Sequence, residues 1–154
     1  MLTKDQPAPS FSTPDQDSNT ICLSDFANKK NVVLYFYPKD DTSGCTIEAQ
    51  QFSEIKSQFD EADTVILGVS KDSIESHQAF IKKFDLKVSL LADTEGQLCN
   101  DYDVWQDKGS DGEVKMGIVR STFIINTQGI IKSAEYGVKA DGHAEKVLAF
   151  VKSL

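Results

Sequence analysis

Two continuous apolar runs along the chain each predict a buried β-strand. The first is NVVLYFY at 31–37, which is rich in β-branched and aromatic residues and stops at Pro38. The second is TVILGVS at 64–70. Runs without polar alternation are typical of strands that are covered on both faces of a sheet. Both runs therefore predict central strands.

Apolar residues at helical spacing follow each of these strands. After the first strand they predict a helix that continues to Asp60, with Thr42 or Ser43 available as its N-cap. After the second strand, DSIESHQAFIKKF predicts another helix, in which Asp72 and Glu75 have the spacing of a capping box. The apolar residues of the first helix are Phe52, Ile55 and Phe59.

The remaining elements are shorter and complete a mixed sheet. VSLLAD (88–93) predicts a short strand and TEGQLCNDY a short helix, while STFIINTQGIIKSAEYG predicts two strands around a turn at 126–129. DGHAEKVLAFVKSL predicts a final helix, and FSTPDQDSNTICLSDF an N-terminal hairpin with its turn at 17–19. The predicted fold class is α/β: a thioredoxin-like fold with a mixed central sheet flanked by helices and an N-terminal β-hairpin extension.

Composition limits the classes of function. The 154 residues are the size of one domain, 1–154, and 40% hydrophobic content is enough for its core. A net charge of −8 argues against nucleic acid or an anionic membrane surface as partner, and no apolar stretch approaches a membrane span. Three scattered cysteines and two histidines form neither a disulfide framework nor a zinc pattern. We expect a cytoplasmic monomer without metal or cofactor.

Cys45 is placed where a cysteine can become reactive, at the turn between the first central strand and its helix. The thiolate is the nucleophile, and an ordinary thiol is only a few per cent thiolate at neutral pH. A mostly thiolate cysteine needs about 2.7 kcal/mol of stabilisation, whereas a helix N-terminus supplies at best about 2 kcal/mol. If 121–126 run antiparallel to 32–37, Arg120 lies beside the 38–45 loop and supplies the missing charge.

Thr42 and Gly44 add to this pattern. The Thr42 hydroxyl can accept one hydrogen bond and donate another, which suits a substrate with an O–O or O–H group held against the sulfur. Gly44 lets the backbone pass close to that substrate. A redox dithiol would need a cysteine where Thr42 stands, so the T-x-x-C spacing favours a single thiolate.

These residues resemble the active site of the peroxiredoxins. The match consists of Pro38-x-x-x-Thr42-x-x-Cys45, the following Glu48, and Arg120 ahead of STFII. VVLYFYPKDDTSGCTIEA, LLAD and YDVW resemble in particular the bacterioferritin-comigratory, or peroxiredoxin Q, branch, and the likeness extends over nearly the whole chain. That family reduces hydrogen peroxide and organic hydroperoxides through a cysteine sulfenic acid.

The resemblance implies a role for each matched residue. Cys45 would be the peroxidatic nucleophile, Thr42 would orient the peroxide, and Arg120 would be the cation. Pro38 would shield the site from water, and Glu48 would orient Arg120. A cation and backbone N–H donors would offset the negative charge that develops on the leaving oxygen.

Two departures from the family pattern matter. Ser43 replaces a usual proline, which loosens the loop, and both usual positions of a resolving cysteine hold other residues, Gln50 and Ile81. We therefore expect a one-cysteine cycle in which thioredoxin, or glutaredoxin with glutathione, reduces the sulfenic acid. Cys22 is expected to be a buried packing residue, and Cys99 a helical, partly exposed thiol for which packing is favoured over a resolving role.

Two other classes of function stay open at this point. Cys45 could belong to a non-enzymatic peroxide sensor or to a redox-dependent binding module, oxidised once and read by a partner. A disulfide reductase is a weaker alternative because of Thr42. His77 and His143 are expected to be ordinary surface or core residues, and Tyr102 and Trp105 packing residues, although near the site they could border it.

Overall fold

The computed structural model describes residues 1–154, in which nine strands and five α-helices occur. In chain order, the strands are β1 (Ser12–Pro14), β2 (Thr20–Cys22), β3 (Asn31–Phe36), β4 (Thr64–Ser70), β5 (Ser89–Ala92), β6 (Trp105–Asp107), β7 (Met116–Ile118), β8 (Ser121–Ile125) and β9 (Ile131–Tyr136). The helices are α1 (Ser43–Glu54), α2 (Lys56–Glu61), α3 (Ile74–Phe84), α4 (Gln97–Asp101) and α5 (His143–Lys152).

A five-stranded mixed sheet with the strand order β5-β4-β3-β8-β9 forms the centre of the molecule. β3 and β4 are parallel, as are β4 and β5, whereas β8 runs antiparallel to both β3 and β9. The α/β class with a mixed sheet is as predicted. The register pairs Phe36 with Ser121, so the residue before Ser121 lies at the edge where β3 ends. The predicted antiparallel pairing of these two strands, which brings Arg120 to this edge, is therefore confirmed.

Two hydrophobic cores cover the two faces of this sheet. Alternate residues of β3 point to opposite faces: Tyr35 belongs to one core and Leu34 to the other. The first core, packed by α1, α2, α3 and α5, contains Cys45. The second core, packed by α4 and the N-terminal segment, contains Cys99. The central sheet thus lies between these two cysteines.

Both predicted hairpins are present. β1 and β2 pair around the 17–19 turn, with Pro14 opposite Thr20. β8 and β9 pair around the turn at 126–129, where the Asn126 side chain accepts hydrogen bonds from two backbone N–H groups and Gly129 has a positive φ of 75°. A third hairpin, formed by β6 and β7, was not predicted. None of the helices is both long and apolar enough to cross a membrane.

Two details of the helix predictions were wrong. The first helix does not continue to Asp60, because Ile55 leaves helical geometry (φ −114°, ψ 16°) and separates α1 from α2. The capping box of Asp72 and Glu75 does not form. Ser73 is the N-cap of α3, and its side chain accepts a hydrogen bond from the Ser76 N–H.

The burial predicted for the two other cysteines was also wrong. Cys22 is partly exposed, at the last position of β2 in the two-stranded hairpin, and its thiol contacts Ser12. Cys99 is helical as predicted but fully buried, because Tyr102 anchors α4 to the N-terminal segment by donating to the Pro9 carbonyl. Burial and the nearby Asp93 carboxylate raise the pKa of the Cys99 thiol.

Candidate active site

Cys45 lies in the first turn of α1, just beyond the carboxyl end of β3. Only 2% of the surface of Cys45 is exposed to solvent. Thr42 is the N-cap of α1, and the first backbone N–H of the helix with an internal acceptor is that of Thr46, which donates to the Thr42 carbonyl. The N–H groups of Ser43, Gly44 and Cys45 are therefore left free, as at any helix start, and favour a negative charge close to the Cys45 sulfur.

Arg120 brings a full positive charge to the same sulfur. Its Nη2 lies 3.4 Å from Cys45 Sγ, and its Nη1 donates to Glu48 Oε1 at 2.7 Å. The guanidinium fork thus joins a thiol and a carboxylate that both project from α1. Arg120 is the residue just before β8, so the β3–β8 register places it beside the start of α1.

Glu48 is a fully buried carboxyl group with a single partner. One oxygen accepts from Arg120, whereas Oε2 has no hydrogen-bond partner. Burial raises the pKa of Glu48 to about 7, because the attraction of Arg120 only partly compensates for the loss of water. Burial alone would lower the pKa of Arg120, but Glu48 and Cys45 outweigh it and the net direction is upward. Arg120 therefore stays charged.

Thr42 is exposed and precedes Cys45 by three positions at the start of α1. It occupies the N-cap position without making a side-chain capping bond, and its hydroxyl instead donates to the Lys39 carbonyl at 2.8 Å. Since that bond uses the hydroxyl proton, the lone pairs of Oγ1 are left to accept a hydrogen bond from outside.

Gly44 lies against Arg120, and Pro38 follows the carboxyl end of β3. A Cβ added to Gly44 would stand 3.1 Å from Arg120 Nη2, so the close approach that needs this glycine is that of the arginine. Pro38 is exposed and lines an open cavity of about 520 Å³ with Trp105 and Lys71, whose Nζ lies 4.0 Å above the indole ring. Cys45, Thr42 and Arg120 do not line this cavity, so it does not connect Trp105 with the Cys45 sulfur. Tyr102 packs in the core with no exposed surface.

Sequence reasoning missed a buried polar cluster behind the 38–42 loop. Asp40 accepts hydrogen bonds from Tyr37 and Ser76 and contacts His77, which is fully buried on α3. His77 was expected to be an ordinary surface or core residue, and it is a core residue, but no local spacing in the sequence links it to an acid. Its partner comes from a loop 37 positions away. The one signal of this cluster in the sequence was the polar run 39–41, Lys-Asp-Asp, which follows the apolar strand.

The cysteines do not approach one another, and no group of three or more His, Cys, Asp or Glu side chains is arranged to hold a metal ion. Cys45 belongs to the core on one face of the sheet and Cys99 to the core on the other. The structure therefore brings together Cys45, Arg120 and Glu48, places Gly44 against Arg120 and Thr42 at the N-cap of the same helix, and leaves Cys99 apart.

Comparison with known proteins agrees with this geometry. Residues 5–134 match the model of the AhpC/TSA family. A putative Bcp peroxiredoxin of Helicobacter pylori strain J99 is 48% identical over 143 residues, which are 93% of each chain. The Bcp peroxiredoxin of Bacillus subtilis is 42% identical over 149 residues, covering 97% of this chain and 94% of that one.

Solved structures give the same result. A structure of Xanthomonas campestris peroxiredoxin Q superposes with a TM-score of 0.89 at 38% identity, covering 93% of this chain and 90% of that chain. A mutant of Xylella fastidiosa PrxQ has the same TM-score at 33% identity, with coverage of 99% and 98%. The thioredoxin-like fold predicted from the sequence is thereby confirmed. The chain belongs to the AhpC/TSA family and, within it, to the Bcp or peroxiredoxin Q group of peroxiredoxins, which are thiol peroxidases.

Proposed function

We propose that this peroxiredoxin reduces hydrogen peroxide and organic hydroperoxides in a one-cysteine cycle centred on Cys45. The Cys45 thiolate attacks one peroxide oxygen, and the O–O bond breaks. The sulfur becomes a sulfenic acid, and the other oxygen leaves as water or an alcohol after taking up a proton. The single observation that carries this proposal is the 3.4 Å contact between Arg120 and the Cys45 sulfur.

Arg120 has two tasks in this reaction. Before the attack, its charge stabilises the thiolate over the thiol. During the attack, negative charge moves from sulfur to the leaving oxygen, and a donor already fixed beside the reacting atoms stabilises that charge without reorganisation. Glu48 holds the guanidinium in place through its 2.7 Å bond.

Thr42 and Pro38 shape the place where peroxide binds. Thr42 Oγ1 accepts a hydrogen bond from the peroxide O–H, because its own proton is directed to Lys39. Pro38 has no N–H and presents an apolar ring at the mouth of the site, which limits access of water to the sulfenic acid. Gly44 leaves room for Arg120.

The reductant is an external thiol. The sulfenic acid condenses with one thiol to a mixed disulfide and water, and a second thiol releases Cys45 as a thiol, which balances the two electrons taken by the peroxide. Support comes from the central sheet between Cys45 and Cys99, the raised pKa of the Cys99 thiol, and the absence of a cysteine at 50 and 81. Thioredoxin, or glutaredoxin with glutathione, is the proposed source of that thiol.

We further propose that the chain acts as one domain, since both cores share one sheet, and that it acts as a monomer. A cytoplasmic location fits three unpaired cysteines, because reducing compartments keep thiols free.

Peroxide consumption with excess thiol reductant tests the proposed function. The wild-type chain is expected to turn over many equivalents of peroxide, whereas Cys45→Ser consumes none. A wild-type chain that stopped near one equivalent with every thiol system would instead indicate a peroxide sensor or a redox-dependent binding module. Activity retained by Cys45→Ser would overturn the assignment of the nucleophile.

A further inference from the structure

The peptide group between Lys39 and Asp40 is hydrogen-bonded at both ends. Its carbonyl oxygen accepts the Thr42 hydroxyl at 2.8 Å, and its N–H donates to Asp72 Oδ2 at 2.9 Å. The direction of the Thr42 hydroxyl depends on where that carbonyl points, and the carbonyl is rigidly coupled to the N–H through the planar peptide. A hydrogen bond that fixes the direction of the N–H therefore also fixes the direction of the Thr42 hydroxyl.

Asp72 is a well-anchored acceptor for this N–H. Its Oδ2 also accepts the Ser70 hydroxyl at 2.6 Å, and its own N–H donates to Ser70 Oγ at 3.2 Å. Ser70 is the last residue of β4 and has no exposed surface. The peptide group is thus tied to the central sheet through two side chains.

The Asp40 side chain ties the same residue to α3 by a second route. Tyr37 donates to Asp40 Oδ1 at 2.6 Å, Ser76 donates to Oδ2 at 2.8 Å, and His77 Nδ1 lies 2.7 Å from Oδ2. The Asp40 side chain is 4% exposed and that of His77 is fully buried. Such a network orders its members strongly when every group is satisfied.

Proton counting shows that the contact between His77 and Asp40 is a hydrogen bond. His77 Nε2 lies 2.9 Å from the Leu91 carbonyl, which can only accept, so Nε2 carries a proton. Nδ1 faces a carboxyl oxygen at 2.7 Å, a distance that two bare lone pairs do not adopt. A proton therefore lies between the two side chains.

We propose that Asp72, Asp40 and His77 are positioning residues that clamp the Lys39–Asp40 peptide and thereby aim the Thr42 hydroxyl at the peroxide. None of the three touches Cys45 or substrate. They act through the peptide that receives the Thr42 proton. The inference rests on the proposed function, because it assumes that Thr42 binds peroxide.

Asp72→Ala gives the most direct test, because Asp72 is only partly buried and its loss removes one acceptor without leaving a charge in the core. Two rates are measured in each variant: the single-turnover rate with hydrogen peroxide, and the rate at which iodoacetamide alkylates Cys45, a reaction that does not use Thr42. We expect Asp72→Ala to slow the peroxide reaction about tenfold to a hundredfold, because a misplaced reacting group costs about that much. Alkylation should change by less than about twofold.

The same change in a Thr42→Val background separates positioning from general loss of structure. If the clamp acts through Thr42, Asp72→Ala has less than about a twofold further effect there. An equal loss in both backgrounds, or a parallel loss of peroxide reaction and alkylation, overturns the clamp but leaves the role of Thr42 intact. A wild-type peroxide rate in Thr42→Val alone overturns both the clamp and the peroxide-binding role of Thr42.

His77 supplies an independent pair of variants should Asp72→Ala fold poorly. Asn at position 77 can still donate to Asp40 from the place of Nδ1, whereas Leu cannot, so His77→Asn should keep most of the peroxide rate that His77→Leu loses. Lys83→Ala is the matched control, because Lys83 contacts the same loop through an exposed ion pair with Asp41. Lys83→Ala is expected to leave both rates unchanged. Equal rates in the two His77 variants contradict the proposal.

Discussion

Arg120 Nη2 lies 3.4 Å from the sulfur of Cys45, although the two residues are 75 positions apart in the chain. The same guanidinium donates to Glu48, three residues beyond Cys45 in the first helix of the fold. One cation is thus shared between a thiol that must ionise and a buried carboxyl group. The chemical behaviour of the site follows from how that charge is divided.

Arg120→Lys tests whether the fork of the guanidinium matters as well as its charge. A lysine has one ammonium group and cannot reach both Glu48 and Cys45 with the same geometry. We expect the peroxide reaction to slow by about a hundredfold, which is the usual effect of losing one fixed donor to a developing charge. Single-turnover kinetics provide the measurement. Lys132→Met, which removes a lysine from an ion pair with Asp5, serves as control, and an unchanged rate in Arg120→Lys contradicts the account.

Glu48→Gln should change the pH dependence of folding. The pKa of Glu48 is raised to about 7 in the folded chain, above its ordinary value of 4.5. The folded state therefore binds the proton more tightly, and this group lowers the free energy of unfolding as pH rises from about 4.5 to 7. Relative to Glu48→Gln, the free energy of unfolding of the wild type should fall by on the order of 3 kcal/mol across that window and should not change outside it.

Urea unfolding of both proteins at several pH values from 4 to 8.5 measures this difference. The Gln variant has nearly the same shape and no titrating proton, so effects of other groups cancel in the comparison. The opposite sign, with the wild type gaining stability over Glu48→Gln as pH rises, would mean that Arg120 outweighs burial.

Gly44→Ala should separate stability from activity. Alanine inside the first turn of a helix is more stable than glycine by about 0.5–1 kcal/mol. Its Cβ would press on Arg120 Nη2 at 3.1 Å and shift the guanidinium from the sulfur. We expect a higher melting temperature together with a peroxide reaction about threefold to tenfold slower. Ser43→Ala, at the preceding exposed position, should leave the rate unchanged, and a Gly44→Ala chain as active as wild type would contradict the packing argument.

Cys22→Ser combined with Cys99→Ala should leave peroxide turnover within about twofold of wild type, because neither thiol takes part in the cycle. Cys99 is fully buried on the far side of the sheet, and the pKa of its thiol is raised by burial and by Asp93. Alanine is chosen at position 99 because serine would place a hydroxyl group in that buried core. Turnover is followed with glutathione and glutaredoxin and, separately, with thioredoxin. A double variant that stops after one equivalent with both systems would show that one of these cysteines resolves the sulfenic acid.

The sequence was sufficient to predict the Cys45–Arg120 contact because the contact follows from strand register. A buried strand that ends at Pro38 and a second strand that begins at Ser121 meet at one edge if they are antiparallel, and the pairing of Phe36 with Ser121 confirms this. The order of strands and helices was predictable because the spacing of apolar residues reflects which faces of each element are buried. That order indicated the α/β class.

The Asp40–His77 pair and the burial of Cys99 were out of reach of such reasoning. Asp40 follows a strand, His77 is the fourth residue of α3, and only the packing of α3 against the loop brings them within 2.7 Å. Cys99 sits in a five-residue helix whose cover comes from the chain's first residues. The hairpin of β6 and β7 was missed because residues 108–115 separate its two short strands, so no tight turn of the kind that marks β1 and β2 signals the pairing.

The central claim is that Cys45 is oxidised to a sulfenic acid that no cysteine of this chain resolves. Intact-mass analysis after one equivalent of hydrogen peroxide, with a sulfenic-acid trap present and no reductant, tests it most directly. The account predicts one trap adduct per chain, located on the peptide that contains Cys45. A chain that has instead lost two hydrogens, with Cys45 linked to Cys99 or Cys22, would contradict it.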